Sequence, residues 1–501
     1  MIRSAATRSF TADDMPLSLD FVFMESVVEA MARLTALAAS PAVARLTAAF
    51  ESAGKELALV GGPVRDAFVG RPINDLDFTT NATPDEMLAI FAPIATATWD
   101  VGRDFGTIGA MVEGERIEVT TYRADEYDRE TRKPTVAFGT RIEDDLRRRD
   151  FTVNAMALTL PGLTLVDPSD GFADLAAGVL RTPSPAAVSF ADDPLRMMRA
   201  ARFVAQLGME LAPDVSDALR NSVESIRMIS AERVRDELIK TLEADDPVPG
   251  IRILVDSGLC DIVLPELPAL VREHDEHGRH KDVYEHSLKV LTKSIALEKE
   301  RNPGHAPDVI GRLAALLHDI GKPATRSFDK PSKTVTFYGH DVVGARMAKK
   351  RLTELRFDNE TIARTANLIR LHLRFFGYSE GAWTDAAIRR YVRDAGEELN
   401  RLHILVRSDV TTRNERRLKA MGDAYDDLER RISEIREREE IDAIRPDLDG
   451  EQIMALLGIR PGRAVGEAWN FLLELRLDEG PLGQEEAEKR LRAWAAERDL
   501  A

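Results

Sequence analysis

A single cysteine in 501 residues, Cys260, leaves no partner for an internal disulfide, which suits a reducing cytoplasm. Burial as a small hydrophobe is the expected state of that thiol. No apolar run is long enough to span a bilayer. The first twenty residues, MIRSAATRSFTADDMPLSLD, lack the apolar stretch of a secretory signal and read as a loose tail. Internal repeats and low-complexity linkers are absent. Nor is there an excess of positive charge, since the formal net charge is −17. A protein that coats nucleic acid indiscriminately is basic, so any RNA contact here must be a local patch serving a specific partner.

Histidine is missing over long stretches. The first 273 residues and the last 98 have none, and all nine lie between His274 and His403. A histidine-dependent site therefore belongs to the middle third of the chain.

The remainder is an ordinary globular composition, 44% hydrophobic and 31% charged, spread over a chain too long for one core. Residues 41–160 alternate two periods. SPAVARLTAAFESAG, PVRDAFVG and TPDEMLAIFAPIA read as helices, the last with Thr83 as N-cap. ELALVGG, INDLDFTT, TIGAMVEG and RIEVTTYR read as strands. The pattern predicts an α+β fold whose N-terminal domain holds a small mixed sheet. From about Ser189 the chain reads as almost entirely helical. TTRNERRLKAMGDAYDDLERRISEIREREEIDAI is expected to be a long helix kept solvated by i,i+4 charge pairs, and RPDLDGEQIM a loop before a last helical segment.

Four stretches carry chemistry. In RPINDLDFTTN, strand alternation sends Leu76 and Phe78 to one face and the carboxylates of Asp75 and Asp77 to the other. Adjacent carboxylates repel unless a cation sits between them. In LVGGPVRDAF, Gly61 and Gly62 end a strand and let backbone approach a phosphate, with Arg65 one turn into the next helix. In EDDLRRRDFTVNAMAL, three arginines up to Arg149, then Asp150 and Asn154, run straight into an apolar segment that must be buried. In FADDPLRMMRAARF, Arg196, Arg199 and Arg202 recur every three residues, which places them on one helical stripe with Asp193 a turn ahead. An Asp acceptor beside an Arg donor suits the hydrogen-bonding edge of a base.

Together these stretches, with FGTI and ISAERVRDELIKTL, resemble the tRNA nucleotidyltransferase and bacterial poly(A) polymerase family, class II of the polymerase-β-like nucleotidyltransferases, over roughly Leu57 to Leu242. Pro63 fills a slot where that family varies, and Asp192 stands where Glu is common. The resemblance implies that Asp75 and Asp77 hold Mg²⁺, with Glu118 as a further carboxylate or a structural residue. It implies that Gly61, Gly62 and Arg65 contact phosphates, and that Arg149, Asp150 and Asn154 position triphosphate and ribose. Asp193 and Arg196 would read the incoming base in place of a template, with Arg199 and Arg202 holding triphosphate or supporting that pair. EYDRETRKPTVAFGT would be the flexible loop of the family.

VYEHSLKVL, LAALLHDIGKP, FYGHDVVGA, LIRLHLRF and RSDVTTRN supply a second set. The adjacent His-Asp pair after an apolar run puts charge at the buried end of a helix, where a metal would neutralise it. The order resembles the HD metal-dependent phosphohydrolase superfamily. That resemblance implies primary ligands His286, His318, Asp319 and Asp409, with His340 and His372 able to hold a second metal. A divalent transition metal or Mg²⁺ suits such a set.

The expected division is an N-terminal extension at 1–40, a nucleotidyltransferase head at 41–180, a helical neck at 181–270, an HD domain at 271–415 and a helical tail at 416–501. The expected activity is CCA addition from CTP and ATP to tRNA 3′ ends, in a cytoplasm and without a membrane. Poly(A) addition shares every head motif. Residues 441–501, however, hold eight Arg and Lys against thirteen Asp and Glu, whereas a polymerase for any RNA is expected to carry a basic extension. CC-only and A-only addition, and a chain that is chiefly an HD phosphohydrolase, stay open, as does the oligomeric state.

Overall fold

The computed structural model describes residues 27–124, 137–271, 283–329, 334–375, 377–378, 383–410, 414–439 and 445–498. The expected tail at 1–20 and most of the EYDRETRKPTVAFGT segment lie outside the described residues. The chain divides into two compact units, Met1–Ile229 and Ser230–Ala501.

The first unit is built on a seven-stranded sheet. In spatial order the strands are Ala97–Trp99, Thr107–Val112, Glu115–Thr121, Leu76–Thr80, Leu57–Val60, Ala157–Leu160 and Leu165–Val166. Only Leu76–Thr80 and Glu115–Thr121 pair in parallel, so the sheet is mixed, as the alternating pattern predicts. Its two faces differ. Ile117, Val119 and Phe78 are buried on one, while Arg116, Glu118 and Asp77 stand on the more open one. Leu57–Val60 is buried along its whole length, because the open face is covered there by Leu146 of the Ile142–Arg147 helix. The Pro84–Phe91 helix starts with the expected Thr83, which forms a reciprocal capping box with Glu86.

No single helix among the described residues is long and apolar enough to cross a membrane. The pair Val27–Ala38 and Pro41–Ser52, bent by 73°, meets that test jointly, but Leu34, Leu46 and Phe50 are spent on the core.

In the second unit, Val283–Arg301 packs on Val309–Leu317 and Leu399–Asp409, and His340–Glu354 packs on Asn359–Leu371. Two expectations are corrected. The helical stretch after Ser189 is interrupted by short strands, Glu210–Leu211 beside Val179–Leu180 in the first unit and Ser327–Asp329 beside Thr334–Thr336 in the second. Two or three residues are too few to show a period of two. The charged helix, Glu415–Glu439, is not solvated all round, because Met421, Tyr425, Leu428, Ile432 and Ile435 are buried along one face. Their three- and four-residue spacing is a core stripe that the surrounding charge obscures. The segment read as a loop leads through Asp449, which caps Gly450–Leu457. That helix shares a core with Arg463–Glu479 and Gln484–Ala496 through Leu448, Ile453, Leu472 and Leu491. Cys260 is buried as expected, and burial pushes its thiol well up.

Candidate active site and metal centre

Strand register assembles the first site. Asp77 lies opposite Glu118, and Glu118 opposite Gly109. Residues directly opposite share a face, so both carboxylates point to the open side of the sheet. Asp75 stands just before the same strand and is exposed. Although the Asp77 side chain reaches solvent, the protein around it excludes part of its hydration. Together with Glu118 and Asp75, which repel it, this pushes its carboxyl up to about 6, against the pull of Arg149. Hard oxygen donors that repel one another fit a hard cation such as Mg²⁺. Asp75, Asp77 and Glu118 do not form a closed cage: among the described residues, every trio with ligand atoms within 4.8 Å of one another lies in the second unit. An open set of this kind leaves coordination positions for substrate oxygens and water.

Beyond the Leu57–Val60 strand lies a cationic network. Gly61 has φ +76°, and a Cβ there would sit 3.3 Å from Arg149 Nη1, so glycine lets the guanidinium approach the turn. Arg65 donates to Asp66 and to Asn154 Oδ1. Asn154 Nδ2 donates to Asp150 Oδ1 at 3.1 Å, and Asp150 Oδ2 accepts from Arg199 Nε at 2.8 Å. Burial would raise the Asp150 carboxyl, but the Arg199 guanidinium and three hydrogen bonds override it and hold it down to about 2. Arg65, Arg199 and Arg202 place their guanidinium carbons 5.4, 5.3 and 4.0 Å from the centre of the Phe203 ring. Arg149 Nε and Arg123 Nε are buried with no hydrogen-bond partner among the described residues, a donor surplus that fits an anion.

The structure thus gathers Gly61, Arg65, Arg149, Asp150, Asn154 and Arg199, and it adds residues the sequence reading passed over. Asp145 is buried and accepts from Thr79 Oγ1 at 3.2 Å and Arg149 Nη2 at 3.3 Å, tying that arginine to the Asp77 strand. Its i,i+4 spacing to Arg149 was the available signal. Phe203 had none.

One placement is corrected. Arg196, Arg199 and Arg202 do share the Leu195–Leu207 helix, but Asp193 is not a turn ahead on it. It is the extended C-cap of Ala186–Asp192, and Pro194 separates the two helices. Asp193 Oδ1 accepts from the Leu195 backbone N–H at 3.1 Å. Arg196 is clamped by Ser189 Oγ at 2.8 Å and the Arg148 carbonyl at 2.6 Å. Arg202 is buried and donates to Gln206 at 3.0 Å, so it supports the helix from within.

In the second unit, five helices or helix ends converge on Asp319, which is 2% exposed. His318 Nε2 lies 3.3 Å from Asp319 Oδ2, His340 Nε2 3.3 Å from Oδ1 and His286 Nε2 3.7 Å from Oδ2. His286 Nε2 also lies 2.8 Å from Asp409 Oδ1. His318–His372 and His340–His372 ring centres are each 5.3 Å apart. His318, His340 and His372 each turn Nδ1 to a backbone carbonyl three residues earlier, those of Ala315, Phe337 and Ile369. This fixes Nδ1 as the protonated nitrogen and leaves Nε2 free to ligate. His318 Nε2 and His372 Nε2 are buried without a hydrogen-bond partner among the described residues. Burial and the neighbouring His318 push His372 down to about 4, so it stays neutral. Burial opposes the charge on His318, yet Asp319 and Asp409 raise it to about 10, so without a metal Nε2 holds a second proton, which a bound ion would displace. These residues form two overlapping trios, His286, His318, Asp319 and Asp319, His340, His372, each fit for a divalent metal. Lys322, unassigned in the sequence reading, donates to Asp319 Oδ2 at 2.8 Å.

Three family models match in order: the poly A polymerase head domain at residues 57–181, the probable RNA and SrmB-binding site of polymerase A at 208–270, and the HD domain at 283–414. An A-adding tRNA nucleotidyltransferase of Deinococcus radiodurans is 35% identical over 459 residues, 88% of this chain and 96% of its own. The chain belongs to the tRNA nucleotidyltransferase family. A CCA-adding enzyme of Geobacillus stearothermophilus is 40% identical over 282 residues, 54% of this chain and 68% of its own. The solved CCA-adding enzyme of Bacillus stearothermophilus, in complex with CTP, superposes with TM-score 0.61 at 23% identity. That match covers 91% of this nucleotidyltransferase and 97% of the other chain, and it shows a shared fold.

Proposed function

We propose that this chain builds the CCA end of tRNA, adding CMP and AMP from CTP and ATP without a nucleic-acid template. The observation that carries the reading is the row Asp77–Glu118 on an open sheet face, flanked by the Arg65–Asn154–Asp150–Arg199 network. Mg²⁺ held by Asp75 and Asp77, when bound, supplies the positive charge that acidifies an RNA 3′-hydroxyl and neutralises a departing pyrophosphate. Arg65 and Arg149 bind triphosphate oxygens beside Gly61 and Gly62. Asp150 and Asn154 fix the ribose side of that pocket through Arg199. Arg196, held rigid by Ser189 and Arg148, presents its remaining N–H groups with Asp193 to the base edge. Expected parts of the chain are the head, neck, HD domain and tail at the boundaries given above.

Relatives of both CCA-adding and A-adding kind match, and the A-adding relative is matched over more of its length. That coverage favours A-only addition as the second reading. The HD centre is proposed to hold a divalent metal, Mg²⁺ or a transition ion, on His286, His318, Asp319 and Asp409, with His340 and His372 serving a second. Hydrolysis of phosphoesters at RNA ends suits it.

The test is Asp77→Asn. Incorporation into CCA-lacking tRNA should fall by about a thousandfold or more, with melting unchanged, because several kcal/mol of charge stabilisation are lost. Incorporation at the wild-type rate would refute the assignment.

A further inference from the structure

We infer that Trp99, with Arg116 stacked on its ring, is the platform that receives the 3′-terminal base of the acceptor RNA. The inference rests on the nucleotidyl-transfer reading above. Trp99 lies opposite Gly109, Gly109 opposite Glu118, and Glu118 opposite Asp77. All four therefore share one face across four strands. Gly109 is what lets the indole lie over the sheet: a Cβ there would meet Trp99 Nε1 at 1.9 Å. Neighbouring strands are about 4.8 Å apart, so a ring over the Gly109 strand stands about 10 Å from the Asp77 strand. One nucleoside spans that gap from its 3′-hydroxyl to the far edge of its base.

Arg116 completes the platform. Its guanidinium carbon lies 5.1 Å from the Trp99 ring centre, and Nη2 donates to Glu118 Oε1 at 2.8 Å. Stack, carboxylate and metal-holding aspartate thus form one connected row. Its side chain is 69% exposed, so the guanidinium plane is open to a base. Bases stack on arginine planes as they do on aromatic rings.

Topology selects the occupant. Gly61 and Arg65 follow the Leu57–Val60 strand on one side of Asp77, with Arg149 beside Gly61, whereas Glu118, Gly109 and Trp99 lie on the other. In-line transfer sets the attacking hydroxyl and the leaving pyrophosphate on opposite sides of the phosphorus. With the triphosphate on the arginine flank, the flank with Trp99 is left for the RNA end. The terminal base changes after each addition, and stacking tolerates any base where hydrogen-bond readout does not. A chain of net charge −17 also gains a local hold on RNA that does not depend on bulk attraction.

The test compares wild type, Trp99→Leu, Trp99→Phe and Arg116→Ala, with melting temperatures measured beside activity. The probe is tRNA lacking CCA, titrated by direct binding without added triphosphate. Wild type and Trp99→Phe should bind it alike, and Trp99→Leu should bind it about 10-fold more weakly. The acceptor KM of Trp99→Leu should rise about 10-fold, within the 5- to 150-fold range of one lost stack, while its KM for CTP stays within about twofold. Arg116→Ala, changed at an exposed position, should shift acceptor KM in the same direction even if Trp99→Leu folds poorly. Wild-type RNA binding and acceptor KM in both Trp99→Leu and Arg116→Ala, with transfer intact, would overturn the platform alone. A wild type that neither binds nor extends the RNA would refute nucleotidyl transfer itself, and the platform with it.

Discussion

Asp150 and Arg199, 49 residues apart in sequence, form a paired contact in which Nε and Nη2 of the arginine donate to the same carboxylate oxygen at 2.8 and 2.5 Å. The carboxyl is depressed from 3.8 to about 2 in the fold. A depressed folded value contributes stability above the unfolded pKa, which is lost as pH falls through the folded one. Asp150→Asn should therefore cost about 2 kcal/mol near neutral pH. The gap to wild type should close between about pH 4 and pH 2. Urea midpoints across that range check it, and a gap that widens towards acid would contradict the sign.

Nucleotide choice should depend on how Arg196 is held. Arg196→Ala removes charge-assisted hydrogen bonds to the base, so discrimination of CTP and ATP against UTP should fall about 10-fold or more. Ser189→Ala frees one end of the guanidinium and should lower discrimination in the same direction by less. Competition assays with mixed triphosphates measure both. Equal selectivity in Arg196→Ala would place base reading on other residues.

Asp319 belongs to both metal trios, whereas His372 belongs to one. Asp319→Asn should hold no divalent metal at the HD centre after dialysis, while His372→Ala should retain one ion there. Metal analysis of the purified chains checks the stoichiometry. Chelation should lower the melting temperature of wild type and leave Asp319→Asn unchanged. His318→Ala combined with Asp319→Ala should leave tRNA extension largely intact while removing any metal-stimulated phosphoesterase activity, and loss of extension in a stable double variant would show that the two sites are coupled.

The parts legible in the sequence were those set by short-range rules. Asp77 faces away from Phe78 because strand alternation requires it, and His318 with Asp319 ends a buried helix as the LAALL run implies. Long-range relations were not legible. Nothing near Glu118 shows that it pairs with Asp77, and Trp99 enters the same row through Gly109 of a third strand. Asp193 was misplaced because a three-residue arginine spacing was extended back across Pro194 to a residue whose backbone is extended, not helical. The Met421 to Ile435 stripe was hidden by the charge around it.

The most direct measurement of the central claim is extension of tRNA lacking CCA, and of tRNA ending in CC, with CTP alone, ATP alone and both. The account predicts two additions with CTP alone on the first RNA, one with ATP alone on the second, and a complete CCA end on the first when both are present. Addition of a single A to the CC-ended tRNA with no use of CTP on either RNA would contradict CCA synthesis and establish A-only addition, and long A tracts on either RNA would contradict both.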